Sequence, residues 1–188
     1  MTVRSEDEWL PVLLSIYPPL SEKTPTLIYG SQILAVVAGI DVSSKDIDLL
    51  APNITLSIIE EAYREATGLE KMRLELLKTE RGRVFTLYYP TDERPIPVEI
   101  FTTTPLGDPL PTFEGHIVEV KRWGISFLSL TVEAYAVLEA FRGVRPVTIE
   151  RFRRVQVNWR SARELAERLG ILEELEVLME AAGIDSTE

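Results

Sequence analysis

Ser43-Ser44-Lys45-Asp46-Ile47-Asp48-Leu49-Leu50 is the stretch on which the reading of this chain turns. Charged and apolar residues alternate from Lys45 to Leu50, and the run stops at Pro52. That pattern predicts a strand with Asp46 and Asp48 projecting from one face. Two adjacent carboxylates repel each other and resist ionising together unless a cation lies between them. A divalent ion bridging to substrate phosphates would satisfy the pair. Two solvated acids on an exposed sheet face are the plainer alternative.

Upstream, Thr26-Leu27-Ile28-Tyr29 is a short apolar run between Pro25 and Gly30, read as a buried strand, with an apolar helix from Gln32 to Val37 directly after it. Gly30-Ser31 therefore falls at a strand-to-helix junction. Glycine there lets the backbone approach a ligand closely, and the first turn of a helix offers free N–H groups to an anion. Gly-Ser at a helix start also serves as an ordinary cap. Before it, Ser5-Glu6-Asp7-Glu8 is a capping box opening a helix that Pro18-Pro19 should end.

Downstream, Leu56 to Thr67 is amphipathic with Gly68 behind it, and runs around Met72–Leu77 and Val84–Tyr89 form a hairpin about Arg81-Gly82. Val98-Glu99-Ile100-Phe101 is a further strand, and Pro95 and Pro97 suit it to a sheet edge. His116–Val120 and Ile125–Leu128 are shorter strand candidates. After Thr131 the pattern is helical: Val132–Phe141, then one helix whose inner face is Phe152, Val155, Trp159, Ala162 and Leu169, then Leu172–Ala182. The sum is α+β, a mixed β-sheet flanked by helices over residues 1–124 with a C-terminal helical segment over 125–188.

Composition narrows the chemistry. Of 188 residues none is cysteine and one, His116, is histidine. Disulfide scaffolds, zinc ribbons, iron–sulfur sites and multi-histidine metal sites are excluded. A metal held here must be a hard cation on carboxylates, which means magnesium or manganese. The acidic N-terminal stretch is followed by no apolar signal region, and the longest uncharged run, Thr24 to Ile40, is shorter than a bilayer span and broken by Pro25, Gly30 and Gly39. A cytoplasmic protein with no membrane partner is expected. Two Asn and two Gln beside abundant Glu and Arg point to a heat-loving source.

Taken together, Tyr29-Gly30-Ser31, the Asp46-Ile47-Asp48 strand and Val98-Glu99-Ile100-Phe101 resemble the nucleotidyltransferase superfamily of DNA polymerase beta, minimal nucleotidyltransferases and AbiEii-type toxins. That pattern is Gly-Ser or Gly-Gly after an apolar strand, an Asp-x-Asp strand, then a third carboxylate on another strand, and here it spans roughly residues 26 to 103. The resemblance implies that Gly30, Ser31, Ser44 and Lys45 bind a nucleoside triphosphate such as ATP. It implies that Asp46, Asp48 and Glu99 hold magnesium, with Glu99 able to take the proton of the attacking hydroxyl. The chain departs from the pattern in lacking an arginine soon after Gly30-Ser31, and in offering Glu139 where many relatives have a lysine.

The implied activity is transfer of a nucleoside monophosphate from an NTP to an acceptor hydroxyl on RNA, protein or a small molecule, releasing pyrophosphate. The alternative is a nucleotidyltransferase-fold binding module acting with a protein partner, as in toxin–antitoxin pairs. The net charge is −10, yet the segment from Arg142 to Arg163 carries seven arginines against the single Glu150. On the single-helix reading, Arg153, Arg160 and Arg163 share one face, which suits RNA or a triphosphate tail. A solvated helix face balancing an acidic domain is the other reading of the same residues.

Overall fold

A computed structural model describes residues 3–80 and 82–184. Seven strands form one mixed sheet: β1 (Leu27–Ile28), β2 (Ile47–Leu50), β3 (Leu74–Lys78), β4 (Arg83–Tyr89), β5 (Ile96–Phe101), β6 (Ile117–Arg122) and β7 (Ile125–Leu130). Their order is β3-β4-β5-β2-β1-β7-β6. β2 runs parallel to β5 with Asp48 opposite Glu99, and antiparallel to β1 with Ile28 opposite Leu49. β3 and β4 are the expected hairpin, paired from Leu74↔Leu87 to Lys78↔Arg83. Arg81, placed at its turn by the sequence reading, lies outside the described residues, as do residues 1, 2 and 185–188.

Helices α1 (Glu6–Lys23) and α2 (Leu56–Thr67) cover one face. Tyr17 of α1 packs on Phe127, and Tyr63 of α2 on Tyr89. The capping box at Ser5 and Glu8 is present. The other face lies beneath α4 (Val132–Phe141), which also packs against α6 (Trp159–Leu169) and α7 (Leu172–Ala182). The core is continuous from Trp9 on α1 to Met179 on α7. A short four-residue helix, α3 (Pro109–Thr112), lies between β5 and β6, and α5 (Pro146–Phe152) follows α4.

Five sequence expectations are corrected. α1 continues through Pro18 and Pro19 to Lys23. Tertiary contacts outweigh the missing N–H groups, because Leu20 is fully buried and the Tyr17 hydroxyl donates to Thr26 O and accepts from Leu128 N. β5 is not an edge strand but lies between β4 and β2; Pro97 is tolerated one residue before pairing with β2 begins at Val98. β2 starts at Ile47, so Lys45 and Asp46 belong to the bend before it. The single helix through Phe152 and Trp159 is two: α5 stops at a cap on Arg153, and Asn158 starts α6 by accepting from Ser161 N at 3.1 Å. Finally, β7 lies in the sheet beside β1 and β6, so a boundary at residue 124 cuts a hairpin and the helical segment begins at Val132.

Candidate active site

The cleft forms over one face of β2 and β5, between the segment that enters β2 and α4. Because the two strands are parallel and Asp48 pairs with Glu99, these acids leave the sheet on the same face. Asp46 reaches them from the preceding bend, and one carboxylate oxygen from each of the three lies within 4.8 Å of the others. Gln32 holds this geometry. It is fully buried, donates through Nε2 to Asp46 O at 2.7 Å, and accepts at Oε1 from Asp48 N at 3.4 Å. Its amide thus pins the backbone on both sides of Ile47.

Electrostatics set these acids apart from ordinary surface carboxylates. Burial, then the neighbouring Asp46 and Glu99, push the Asp48 carboxyl up to about 8. Burial also raises Asp46, against the pull of Lys45 and a hydrogen bond from Ser44; burial and Asp46 raise Glu99. Among the described residues, no lysine or arginine forms an ion pair with any of the three.

Gly30 and Ser31 stand where the chain leaves β1, and a π-helical turn, Leu34–Ala38, follows. Gly30 has φ +61°, and a Cβ there would lie 2.0 Å from Asp48 Oδ2. No side chain fits that contact. Ser31 Oγ donates to Ser44 Oγ at 3.3 Å, so the two hydroxyls share one end of the cleft with Lys45. All seven acid and nucleotide-binding candidates, Gly30, Ser31, Ser44, Lys45, Asp46, Asp48 and Glu99, line a single cleft of 470 Å³.

Arg153, Arg160 and Arg163 do not. Arg153 caps α5 and donates to Ala182 O; Arg160 is exposed and pairs with Glu164; Arg163 lines a separate depression beside α7. The break between α5 and α6 is what turns them away. Among the described residues, the arginines that do reach the cleft are Arg142, Arg145 and Arg151. Arg142 donates to Glu139 Oε1 at 3.0 Å and to the Tyr29 hydroxyl at 2.7 Å. Arg145 pairs with the other carboxylate oxygen of Glu139, which also accepts from Thr148 at 2.8 Å. Arg151 donates to the Tyr135 hydroxyl at 3.1 Å and to Ser43 O at 3.2 Å, tying α5 to the bend before β2.

Glu139 is 1% exposed. Burial alone would raise its carboxyl, but Thr148, Arg145 and Arg142 together hold it below the usual range. Glu139, an acid set among the apolar residues Ala136, Val137, Leu138 and Ala140 of α4, is the sequence signal that could have revealed this hub.

No family model and no curated protein matches the chain. Two solved structures share its architecture. One, a provisionally assigned nucleotidyltransferase from Thermotoga maritima, is 24% identical with a TM-score of 0.50, over 72% of this chain and 86% of that one. The other, a provisionally assigned nucleotidyltransferase from H. pylori, is 11% identical with a TM-score of 0.52, over 91% of this chain and 87% of that one. At these identities the likeness concerns the fold, and the fold is nucleotidyltransferase-like, α+β. Among the described residues no helix is long and apolar enough to cross a membrane.

Proposed function

We propose that the cleft transfers a nucleoside monophosphate from a nucleoside triphosphate to an acceptor hydroxyl, with pyrophosphate leaving. The observation that carries this reading is the convergence of Asp46, Asp48 and Glu99 within 4.8 Å beside a glycine-serine turn and a row of cationic side chains. The donor set fits a divalent magnesium or manganese ion: it is all oxygen, all anionic, and crowded enough that burial and mutual repulsion hold Asp48 up to about 8. A cation bound there supplies charge neutralisation for the reacting phosphates.

The chain's own residues divide the remaining work. Ser31 and Ser44 present hydroxyls to phosphate oxygens, and the missing side chain at Gly30 leaves the Asp48 carboxylate room beside them. Lys45, Arg145 and Arg151, which line the same cleft as the acids, offset the triphosphate charge. Glu99 accepts the proton of the incoming hydroxyl as its oxygen bonds to the α-phosphorus. The bond from that phosphorus to the bridging oxygen breaks, and its electron pair leaves with pyrophosphate.

The test is incubation with magnesium and each labelled NTP at moderate and elevated temperature, offering RNA, the protein itself and hydroxyl-bearing small molecules, with Asp48→Asn as control. Label on an acceptor with wild type alone supports the reading. Equal labelling by Asp48→Asn, or wild type that neither labels any acceptor nor binds any NTP, overturns it.

A further inference from the structure

A second cavity of 420 Å³ opens off the cleft at Phe101 and Arg142, which line both. Its walls are Tyr29, Val84, Phe101, Thr103 and Pro105. Phe101 and Val84 face each other across β5 and β4, and Tyr29 meets Phe101 edge to face at 5.3 Å between ring centroids. A wider trough lined by Leu106, Phe141 and Ile171 continues outward from Thr103 and Pro105. The cavity is thus the inner end of a passage that meets the carboxylate cleft at Phe101 and Arg142, while its outer trough also carries Asn53, Arg83 and Asp108.

Its position relative to them is fixed by strand register. Lys45 and Ser44 precede β2, whereas Phe101 pairs with Leu50 at the far end of that strand. At about 3.3 Å per residue, the three steps of β2 from Ile47 to Leu50 span roughly 10 Å, and Lys45 and Ser44 lie beyond Ile47, with Asp48 and Glu99 between the two ends. Displacement at phosphorus is in line, so attacking and leaving oxygens stand on opposite sides of it. Pyrophosphate belongs at the Ser31, Ser44 and Lys45 end, where hydroxyls and positive charge collect. The hydroxyl then arrives from the Phe101 end, past Glu99.

The lining of that end decides what can carry the hydroxyl. A nucleic-acid strand brings a phosphate with every nucleotide and needs matching cations along its path. Among the described residues lining the cavity, the charges are Glu80, Arg83 and Arg142. Arg142 is already bonded to Glu139 and Tyr29, and the charges of Glu80 and Arg83 sum to zero. What is left is an apolar slot edged by threonine hydroxyls.

We propose that the Phe101 cavity is the acceptor subsite and takes an uncharged organic alcohol with an apolar body, not a nucleic acid. This rests on the transferase reading of the adjoining cleft. The experiment follows backbone amide shifts of the full chain on titration with benzyl alcohol, with a short oligoadenylate RNA, and with magnesium and ATP. Benzyl alcohol should move the amides of Val84, Phe101 and Thr103. Val84→Trp and, at the exposed rim, Glu80→Trp should each weaken it about tenfold, equivalent to ~1.4 kcal/mol.

Three results would overturn the assignment. These amides could stay still with benzyl alcohol; RNA could move them with steep salt dependence; or ATP could displace benzyl alcohol, which would make the cavity a nucleobase site. Magnesium and ATP that leave the amides of Ser31 and Ser44 unmoved would instead remove the transferase reading. That failure is read from a separate titration and separate residues.

Discussion

Replacing Asp48 with Asn removes one negative charge from the cleft floor while keeping the side chain's size. In the wild type that carboxyl is held at about 8 against an ordinary 3.8, by burial first and then by Asp46 and Glu99. At ~1.36 kcal/mol per pH unit, the interval amounts to roughly 5–6 kcal/mol as an upper bound. Asp48 keeps partial contact with solvent in the cleft. Screening there reduces the expected effect to about 3 kcal/mol. The sign follows from linkage: a carboxyl raised by folding binds its proton more tightly in the native state. The contribution of the neutral acid is therefore complete below about pH 4 and lost as pH rises through 8.

Asp48→Asn does not titrate, so in the presence of a chelator it should match wild type near pH 4 and exceed it by about 3 kcal/mol above pH 8. Urea unfolding followed by circular dichroism across that range measures the gap. Magnesium at a hundred times its dissociation constant should then restore about 2.7 kcal/mol to wild type and much less to the variant. A variant less stable than wild type at pH 8 without metal would refute the reasoning. So would a gap independent of pH, because the acid would then be satisfied by internal donors rather than crowded by other acids.

Glu139→Gln leaves Arg142 and Arg145 without their shared anion and should cost about 3 kcal/mol at neutral pH. Since folding lowers this carboxyl, its contribution is present above about pH 4.5 and fades as pH falls through the depressed native value; a pH-independent difference in urea midpoints would contradict this. Gly30→Ala places a methyl against Asp48 Oδ2 at a left-handed backbone position, and should lose at least about 2 kcal/mol by thermal unfolding together with the magnesium response. Arg151→Ala should weaken NTP binding about tenfold in calorimetry; unchanged affinity would remove this arginine from the phosphate site.

The parts of this site that could be read in the sequence are those whose geometry is local. Alternation around Asp48 and Glu99 announced two strands, and strand geometry then aimed both acids to one side. The pairing that sets them opposite each other, Asp48↔Glu99 across 51 residues, was suggested by family likeness rather than by spacing. Arg142, Arg145 and Arg151 escaped because their place depends on α4 crossing the sheet and α5 folding back to touch Ser43, contacts made 108 residues apart in the case of Arg151. Helical periodicity also ran smoothly through Arg153 to Val157, where the structure breaks. Asn158, a good N-cap residue, marked the restart. The prolines of α1 and β5 misled in the same way: their local preference was outweighed by what the strands and the core do around them.

The arrangement of charge explains why Glu139 is ionised in so dry a place. Arg142 comes close enough to Asp48 to lower its proton affinity, yet it forms no ion pair with it, and its guanidinium is held instead by Glu139 and the Tyr29 hydroxyl. An arginine free to swing would collapse onto Asp48 and Glu99 and neutralise the floor of the cleft. Anchored from behind, Arg142 and Arg145 stay on the wall while the three acids remain together below, without an ion pair to either arginine. A cleft with a negative floor and a positive wall matches a cation joined to a polyphosphate, whose two ends carry the opposite signs. On the proposed reading, neither half alone would distinguish that complex from a free ion or a free anion, and Glu139, a buried carboxylate on the same cleft, would help make the site selective for the pair.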